Sequence, residues 1–305
     1  MPAFTAALNC RWMHLGGKTI DILVLGGGPA GATAAIYAAR AGKAVTLVYQ
    51  DGGALARAEK IENFYGFPAP IHGPALFERG LEQAEALGVT VLRAQVLGLG
   101  FGPEGLEAET THGTLSAKAV VLATGTQRRR PGIAGLDAFD GAGVSYCAVC
   151  DGFFCRGKQV AVLGAGAYAL HEAGVLLPLA GQVTLLTNGE SAPDALPQGL
   201  QVDVRPVEAL EGKEGILSAV RFADGQSLEV SRLFVALGTA GSGDLARKVG
   251  LLTEHGKIAV DEAMATNVPG LFAAGDCTGG LLQVAKAAAQ GAQAGLSAVR
   301  YVNGR

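Results

Sequence analysis

Residues 19–49 read TIDILVLGGGPAGATAAIYAARAGKAVTLVY, and few patterns restrict a fold so tightly. An apolar run at 22–25 ends in Gly26, Gly28 and Gly31, spaced G-x-G-x-x-G, with Pro29 and Ala30 between the last two. A small-residue stretch of helical character follows, and a second apolar run at 44–48 closes a strand-helix-strand unit. Each glycine has a mechanical role in such a unit. Gly26 makes the tight turn, Gly28 lets backbone approach a pyrophosphate, and Gly31 allows the helix to pack closely on the strand. The helix N-terminus supplies amide donors and a favourable dipole for phosphate.

The unit occurs twice. Residues 159–190 read QVAVLGAGAYALHEAGVLLPLAGQVTLLTNGE, with Gly164 and Gly166 in the turn and Ala169 in the third position. An internal repeat of this kind predicts an α/β chain with two Rossmann-like dinucleotide-binding domains, each a three-layer β/β/α arrangement. Two such sites imply two dinucleotides, typically a flavin and a nicotinamide. The 46 glycines among 305 residues, about twice the usual share, fit a fold made of many strand-to-helix turns.

The copies are unequally equipped. The acid that normally holds the adenosine ribose at the end of the second strand is replaced by Tyr49 and Gln50, with Asp51 one step on; the Gln50 amide can still serve. In the second copy the same place reads Thr187, Asn188, Gly189, Glu190. No arginine stands there to take a 2′-phosphate bidentately, so NADPH is disfavoured, NADH is left open, and the alternative is a vestigial domain that keeps the fold without the ligand. Tyr168 is expected to put a bulky ring into the second glycine turn.

Charge excludes other classes. With 24 Lys plus Arg against 27 Asp plus Glu there is no basic footprint for nucleic acid or an anionic membrane. No apolar run reaches the roughly 20 residues that span a bilayer. Residues 1–17 lack the order of a signal peptide and read as a disordered leader, with Met13 as an alternative start. A cytoplasmic enzyme is the expectation.

Just before the second unit lies YCAVCDGFF, which sets Cys147 and Cys150 two residues apart with Asp151 next. Three readings stand: half a zinc site, two packed thiols, or a redox disulfide. A zinc site needs two further paired ligands, but Cys155 is five residues on, Cys10 and Cys277 are isolated, and the five histidines form no constellation. No metal is expected. Packing alone fits the adjacent acid and glycine poorly, so the redox disulfide is preferred.

Five stretches together, GGGPAG (26–31), IENFYGFP (61–68), VLATGTQRRRPGIAG (121–135), CAVCDGFFCRGK (147–158) and TNVPGLFAAGDCTGG (266–280), resemble the low-molecular-weight thioredoxin reductases, in family order from about residue 19 onward. The resemblance implies an FAD-binding domain at 18–128 and 241–305, interrupted by a pyridine-nucleotide-like domain at 129–240 that carries the cysteines. It places Asn63 near the flavin ring, Ala123, Thr124 and Gly125 at the crossover passing the FAD, and Gly275 and Asp276 at its ribityl chain. Asp276 has the alternative role of N-cap to a helix running on from it. The resemblance gives Cys150 the flavin-facing place, Cys147 the interchange with an outside disulfide, and Asp151 the general acid that protonates the departing thiolate.

Three departures fall on electron supply: the missing arginines, Tyr168, and Gln283-Val284 where the family often carries Arg-Gln. His171 stands where the family tends to carry Glu and reads as surface or packing. Arg128–Arg130 read as a solvated loop. The expected function is therefore an FAD disulfide reductase acting on thioredoxin or a similar dithiol, fed by NADPH, NADH, ferredoxin or another donor. Alternatives are an FAD dithiol oxidase that passes electrons to oxygen, and a flavin redox sensor. The family is commonly a homodimer.

Overall fold

A computed structural model describes residues 20–103, 105–125, 131–238 and 241–304. The leader and the Arg128–Arg130 run lie outside them. Strand β1 (Ile20–Leu25) is almost wholly buried, as a central parallel strand requires. Gly26 turns the chain at φ 114°, and helix α1 (Pro29–Arg40) begins with proline at its first position. Strand β2 (Val45–Tyr49) returns parallel to β1, with Ile22 opposite Val45. Helix α2 (Gly73–Ala86) leads to β3 (Thr90–Arg93), and an antiparallel meander follows: β4 (Val96–Gly102), β5 (Gly105–Thr110) and β6 (Gly113–Leu122). The sheet order is β3-β2-β1-β6-β5-β4.

The chain then leaves this sheet and builds a second. The two-residue strand β7 (Val144–Ser145) leads into the one-turn helix α3 (Ala148–Asp151). Strand β8 (Gln159–Leu163), helix α4 (Ala167–Leu176) and strand β9 (Gln182–Leu186) form the second glycine-turn unit. Strand β10 (Leu200–Asp203), the antiparallel trio β11 (Val207–Lys213), β12 (Ile216–Phe222) and β13 (Ser227–Glu229), and strand β14 (Arg232–Val235) complete it. Its order is β10-β9-β8-β14-β7, all parallel.

Helix α5 (Ser242–Lys248) and the short pair β15 (Thr253–Glu254) and β16 (Lys257–Ile258) bring the chain back. Strand β17 (Leu271–Ala273) joins the first sheet beside β6, with Leu271 opposite Val120. Helix α6 (Val284–Val302) covers α1. The second Rossmann-like unit is thus inserted in the first. Glycine sets the α1–α6 contact: a β-carbon at Gly291 would lie 2.2 Å from the Ala30 carbonyl oxygen, and one at Gly295 would lie 2.5 Å from that of Ala34.

The two units share apolar packing. Leu99 and Leu106 of the first, Tyr168 and Phe234 of the second, and Leu245 of α5 belong to one buried cluster. The long C-terminal helix begins at Val284, with Gln283 as its N-cap, because Gly279 and Gly280 adopt φ 78° and 73° and stop any helix from running through them. Asp276 instead opens a separate single turn of 3-10 helix, Asp276–Thr278, so it is not the N-cap of the long helix.

Candidate active site

The pairing of β7 with β14, Ser145 opposite Phe234, delivers the chain to the cysteine helix. Cys147 is the N-cap of α3 and is disulfide-bonded to Cys150, with a Cα–Cα distance of 5.3 Å. The Cys150 amide donates to Cys147 Sγ at 3.2 Å, so the sulfur takes the place of the usual capping oxygen. Cys147 is 2% exposed, whereas Cys150 lies open. Cys150 Sγ sits 3.8 Å from the Arg247 carbonyl oxygen on α5.

Asp151 is tied to the same turn. Ser145 Oγ donates to Asp151 Oδ2 at 2.6 Å and accepts from the Cys147 amide at 3.2 Å. Arg232 Nη1, at the start of β14, lies 3.6 Å from that carboxylate oxygen. The acid is therefore held beside the disulfide by a hydroxyl and a guanidinium, a setting in which it can exchange a proton with a neighbouring thiol. The remaining described thiols are packing residues. Burial pushes the Cys277 thiol up to about 12 and also raises that of Cys155, whose Sγ lies 3.6 Å from the Asp151 carbonyl oxygen. Among the described residues, no group of three His, Cys, Asp or Glu side chains can hold a metal.

The first glycine turn has the shape a pyrophosphate needs. A β-carbon at Gly26 would meet the Ala123 carbonyl oxygen at 2.3 Å, and one at Gly31 would meet that of Gly26 at 1.8 Å. Gly28 has nothing within 4 Å of its missing side chain, so the space in front of α1 is open. Pro29 and Ala30 form the first turn of the helix. At the crossover Ala123 is buried, and Thr124 Oγ1 is buried with no hydrogen-bond partner. Such an orphan is costly unless a ligand satisfies it. Gly125 adopts φ 69°, and its carbonyl accepts from Ser242 Oγ at 2.7 Å, which ties the crossover to the start of α5.

Gly275 (φ 87°) brings the Asp276 turn against α1, where its β-carbon would lie 2.9 Å from that of Ala30. The half-buried Asp276 carboxylate accepts no hydrogen bond among the described residues. Lys286 braces this turn, donating to the Gly275 carbonyl at 2.7 Å. Asn63 Nδ2 donates to Gln283 Oε1 at 2.8 Å, joining two segments 220 residues apart at the start of Val284 and α6. Gln50 is exposed just past β2. An unsatisfied buried hydroxyl, a carboxylate that accepts no hydrogen bond among the described residues, and an open glycine turn are what a ribityl-pyrophosphate chain would complete, so these residues fit FAD.

The second unit fits a phosphorylated nicotinamide nucleotide less well. Gly164 turns at φ 146° with its β-carbon position 2.4 Å from the Ala236 carbonyl oxygen; Gly166 keeps its surroundings clear to 3.9 Å; Ala169 is fully buried. Tyr168 does not block the turn. Its ring points into the core, 1% exposed, with Lys248 Nζ 5.3 Å from its centroid, because the second residue of α4 faces inward there. Beyond β9, Thr187 Oγ1 donates to the Glu190 carbonyl, and Asn188 Oδ1 accepts from the Val207 amide. Arg205, from the neighbouring strand end, is bound to Asp203, Asp224 and Gln226 and stacks 3.9 Å from the Phe222 ring centroid.

Residues without a local motif complete the site. Glu172 and Lys248 are 1% and 3% exposed and pair at 2.6 Å, and Glu172 Oε2 accepts from the Ala148 amide at 2.8 Å. His171 is part of this group, with Nδ1 3.4 Å from Glu109; burial, then the Lys248 charge, hold its imidazole below the ordinary value. These contacts join segments 24 and 76 residues apart, and only the lone polar residues inside apolar helices hinted at them.

Two Rossmann-like units with a disulfide at their junction define a disulfide oxidoreductase of the dinucleotide-binding class. The comparisons are more specific. The family model for pyridine nucleotide-disulphide oxidoreductase matches residues 20–291. A thioredoxin reductase of Aquifex aeolicus (strain VF5) is 34% identical, covering 94% of this chain and 95% of that protein. Among solved structures, the atypical thioredoxin reductase TRi from Desulfovibrio vulgaris Hildenborough is 39% identical, with TM-score 0.88, over 94% of this chain and 99% of its own. A ferredoxin-flavin thioredoxin reductase from Clostridium acetobutylicum is 31% identical, with TM-score 0.70, over 93% and 98%. The chain belongs to the pyridine nucleotide-disulphide oxidoreductase family, on the side of its low-molecular-weight thioredoxin reductases.

Proposed function

We propose that this chain is an FAD-dependent disulfide reductase that delivers an electron pair through Cys147–Cys150 to thioredoxin or a protein like it. One observation carries the reading: the Cys147–Cys150 disulfide is docked on α5, which is itself hydrogen-bonded to the crossover at Gly125. FAD, when bound, supplies the electron pair. Gly26, Gly28, Pro29, Ala30 and Gly31 hold its pyrophosphate, with Gln50 at the adenosine end. Ala123, Thr124, Gly125, Gly275 and Asp276 line its middle, and Asn63, Gln283 and Val284 its ring end. We assign these to an FAD-binding domain at 18–128 and 241–305, and residues 129–240 to the inserted domain.

Cys150, the sulfur beside α5, would be the one to accept the electron pair from a bound flavin. The disulfide takes up two electrons and two protons, and Cys147 and Cys150 become thiols. The Cys147 thiolate then attacks an outside disulfide to give a mixed disulfide, and Cys150 displaces it, restoring the bridge and leaving the outside pair as a dithiol. Asp151, held by Ser145, passes a proton to the departing thiolate. Val149, Phe153 and Phe154 stand exposed around the bridge, an apolar collar suited to a folded protein more than to a small dithiol. A reducing compartment, the cytoplasm, suits a chain whose described residues include two buried free thiols as well as a redox pair, and a homodimer is the family's usual assembly.

For the electron donor, the fully engaged Arg205 favours a source other than NADPH: NADH at Gly164, Gly166 and Ala169, or a reduced ferredoxin. Anaerobic mixing with NADPH, NADH and reduced ferredoxin in turn, followed at the flavin band, separates these. Bleaching with NADH or ferredoxin well ahead of NADPH is expected; NADPH as the fastest donor overturns that choice. C150S is expected to stay yellow and lose disulfide turnover, and unchanged turnover would remove the mechanism.

A further inference from the structure

We infer that Glu172 is a positioning residue for the disulfide, acting with Lys248 as a buried latch that holds the cysteine helix in its docked place. The inference rests on the disulfide reductase reading. The Ala148 amide is the first of α3, and no turn of its own helix can satisfy it. Glu172 Oε2 accepts it at 2.8 Å, from α4. The other carboxylate oxygen takes Lys248 Nζ at 2.6 Å, and the same ammonium donates to the Leu97 carbonyl at 3.0 Å. Three separate pieces, the cysteine helix, α4 and the β4–α5 face, thus meet at one ion pair with almost no solvent contact. The nearby charged and titratable groups are His171, 3.9 Å from Glu172, and Glu109 beyond it.

This closure has a consequence for catalysis. Docking puts Cys150 against α5 but leaves Cys147 2% exposed, so the interchange sulfur is covered in the state that receives electrons. Exchange with a protein disulfide therefore needs the cysteine helix to leave the α5 face, which breaks the Glu172–Lys248 pair that spans the two. A buried pair is expensive to open one-sidedly, since each charge loses its partner. The latch therefore favours electron uptake and opposes substrate exchange. Weakening it should move the two half-reactions in opposite directions, which a merely structural loss cannot do.

The test uses the full FAD-loaded chain, wild type, E172Q and E172L/K248M. E172Q keeps the shape and removes the charge, and the double variant replaces the pair with apolar side chains that buried sites tolerate. The first readout is the rate at which photoreduced flavin is reoxidised by the internal disulfide under anaerobic conditions. A slowing of about tenfold or more is expected in both variants, as small misplacements of reacting groups produce. The second is iodoacetamide labelling of Cys147 in the dithiol-reduced protein, located by fragment-ion mass spectrometry, and it should accelerate about tenfold as local opening becomes easier. Both rates unchanged, or both falling together, overturn the latch. Internal reoxidation missing already in the wild type counts against the reductase reading instead, and the labelling comparison still decides the latch.

Discussion

Thr124 presents the plainest case at the scale of single residues. Its hydroxyl is buried without a partner, which costs the protein about 1–3 kcal/mol unless a ligand supplies one. T124V removes the orphan. The flavin-free protein should keep or gain stability, while flavin affinity falls by about tenfold, or about 1.4 kcal/mol. Calorimetric melting of both forms checks this, and unchanged flavin affinity would mean the hydroxyl serves nothing bound there. His171 offers a second test. Its native proton affinity is held below the ordinary 6.5, so the unfolded chain binds the proton at a higher pH than the native chain does. Its contribution is therefore intact above about pH 6.5 and is lost as pH falls from there through the native value. Denaturant melts of wild type and H171Q between pH 8 and pH 5 should show wild type losing more stability on the acid side. A constant difference would place His171 in an ordinary solvated setting.

Elements make a sharper contrast, because two glycines close to one another in space have different duties. Gly291 is small so that α6 can lie on α1, and G291A forces a methyl into a carbonyl oxygen 2.2 Å away. Overpacking of this kind costs about 1–3 kcal/mol and shifts α1, so stability and flavin retention should fall together. Gly28 has open space and an extended backbone at φ -68°, so G28A should melt like wild type yet hold flavin poorly. Equal loss of stability in both variants would contradict the assignment of the space before α1 to pyrophosphate. At this scale the sequence was readable where a residue type has one mechanical use: both glycine turns, their strands, and the cysteine turn follow from local spacing. The long C-terminal helix was placed too early, since the break at Gly279 and Gly280 is a matter of backbone φ and not of apolar pattern. Tyr168 was read as an obstacle because a motif position does not say whether its side chain faces the ligand or the core.

The whole molecule holds what local spacing cannot reveal. The insertion of one unit in the other was legible because turn motifs of the first resume at 266–280. The junction was not. Glu172, Lys248 and the Ala148 amide are distant in sequence and meet only after both sheets have formed. The missing arginines after β9 could be read from the sequence, but the pairing of Arg205 with Asp203 and Asp224 needed the packed structure.

Reductive titration of the anaerobic FAD-loaded protein tests the central claim most directly, with absorbance followed at the flavin band. If flavin and the Cys147–Cys150 bridge form one electron path, wild type takes up two electron pairs before the band is fully bleached, and C150S takes up one. Full bleaching of wild type after a single pair, as in C150S, would mean the bridge never exchanges electrons with the flavin, and the account would be wrong.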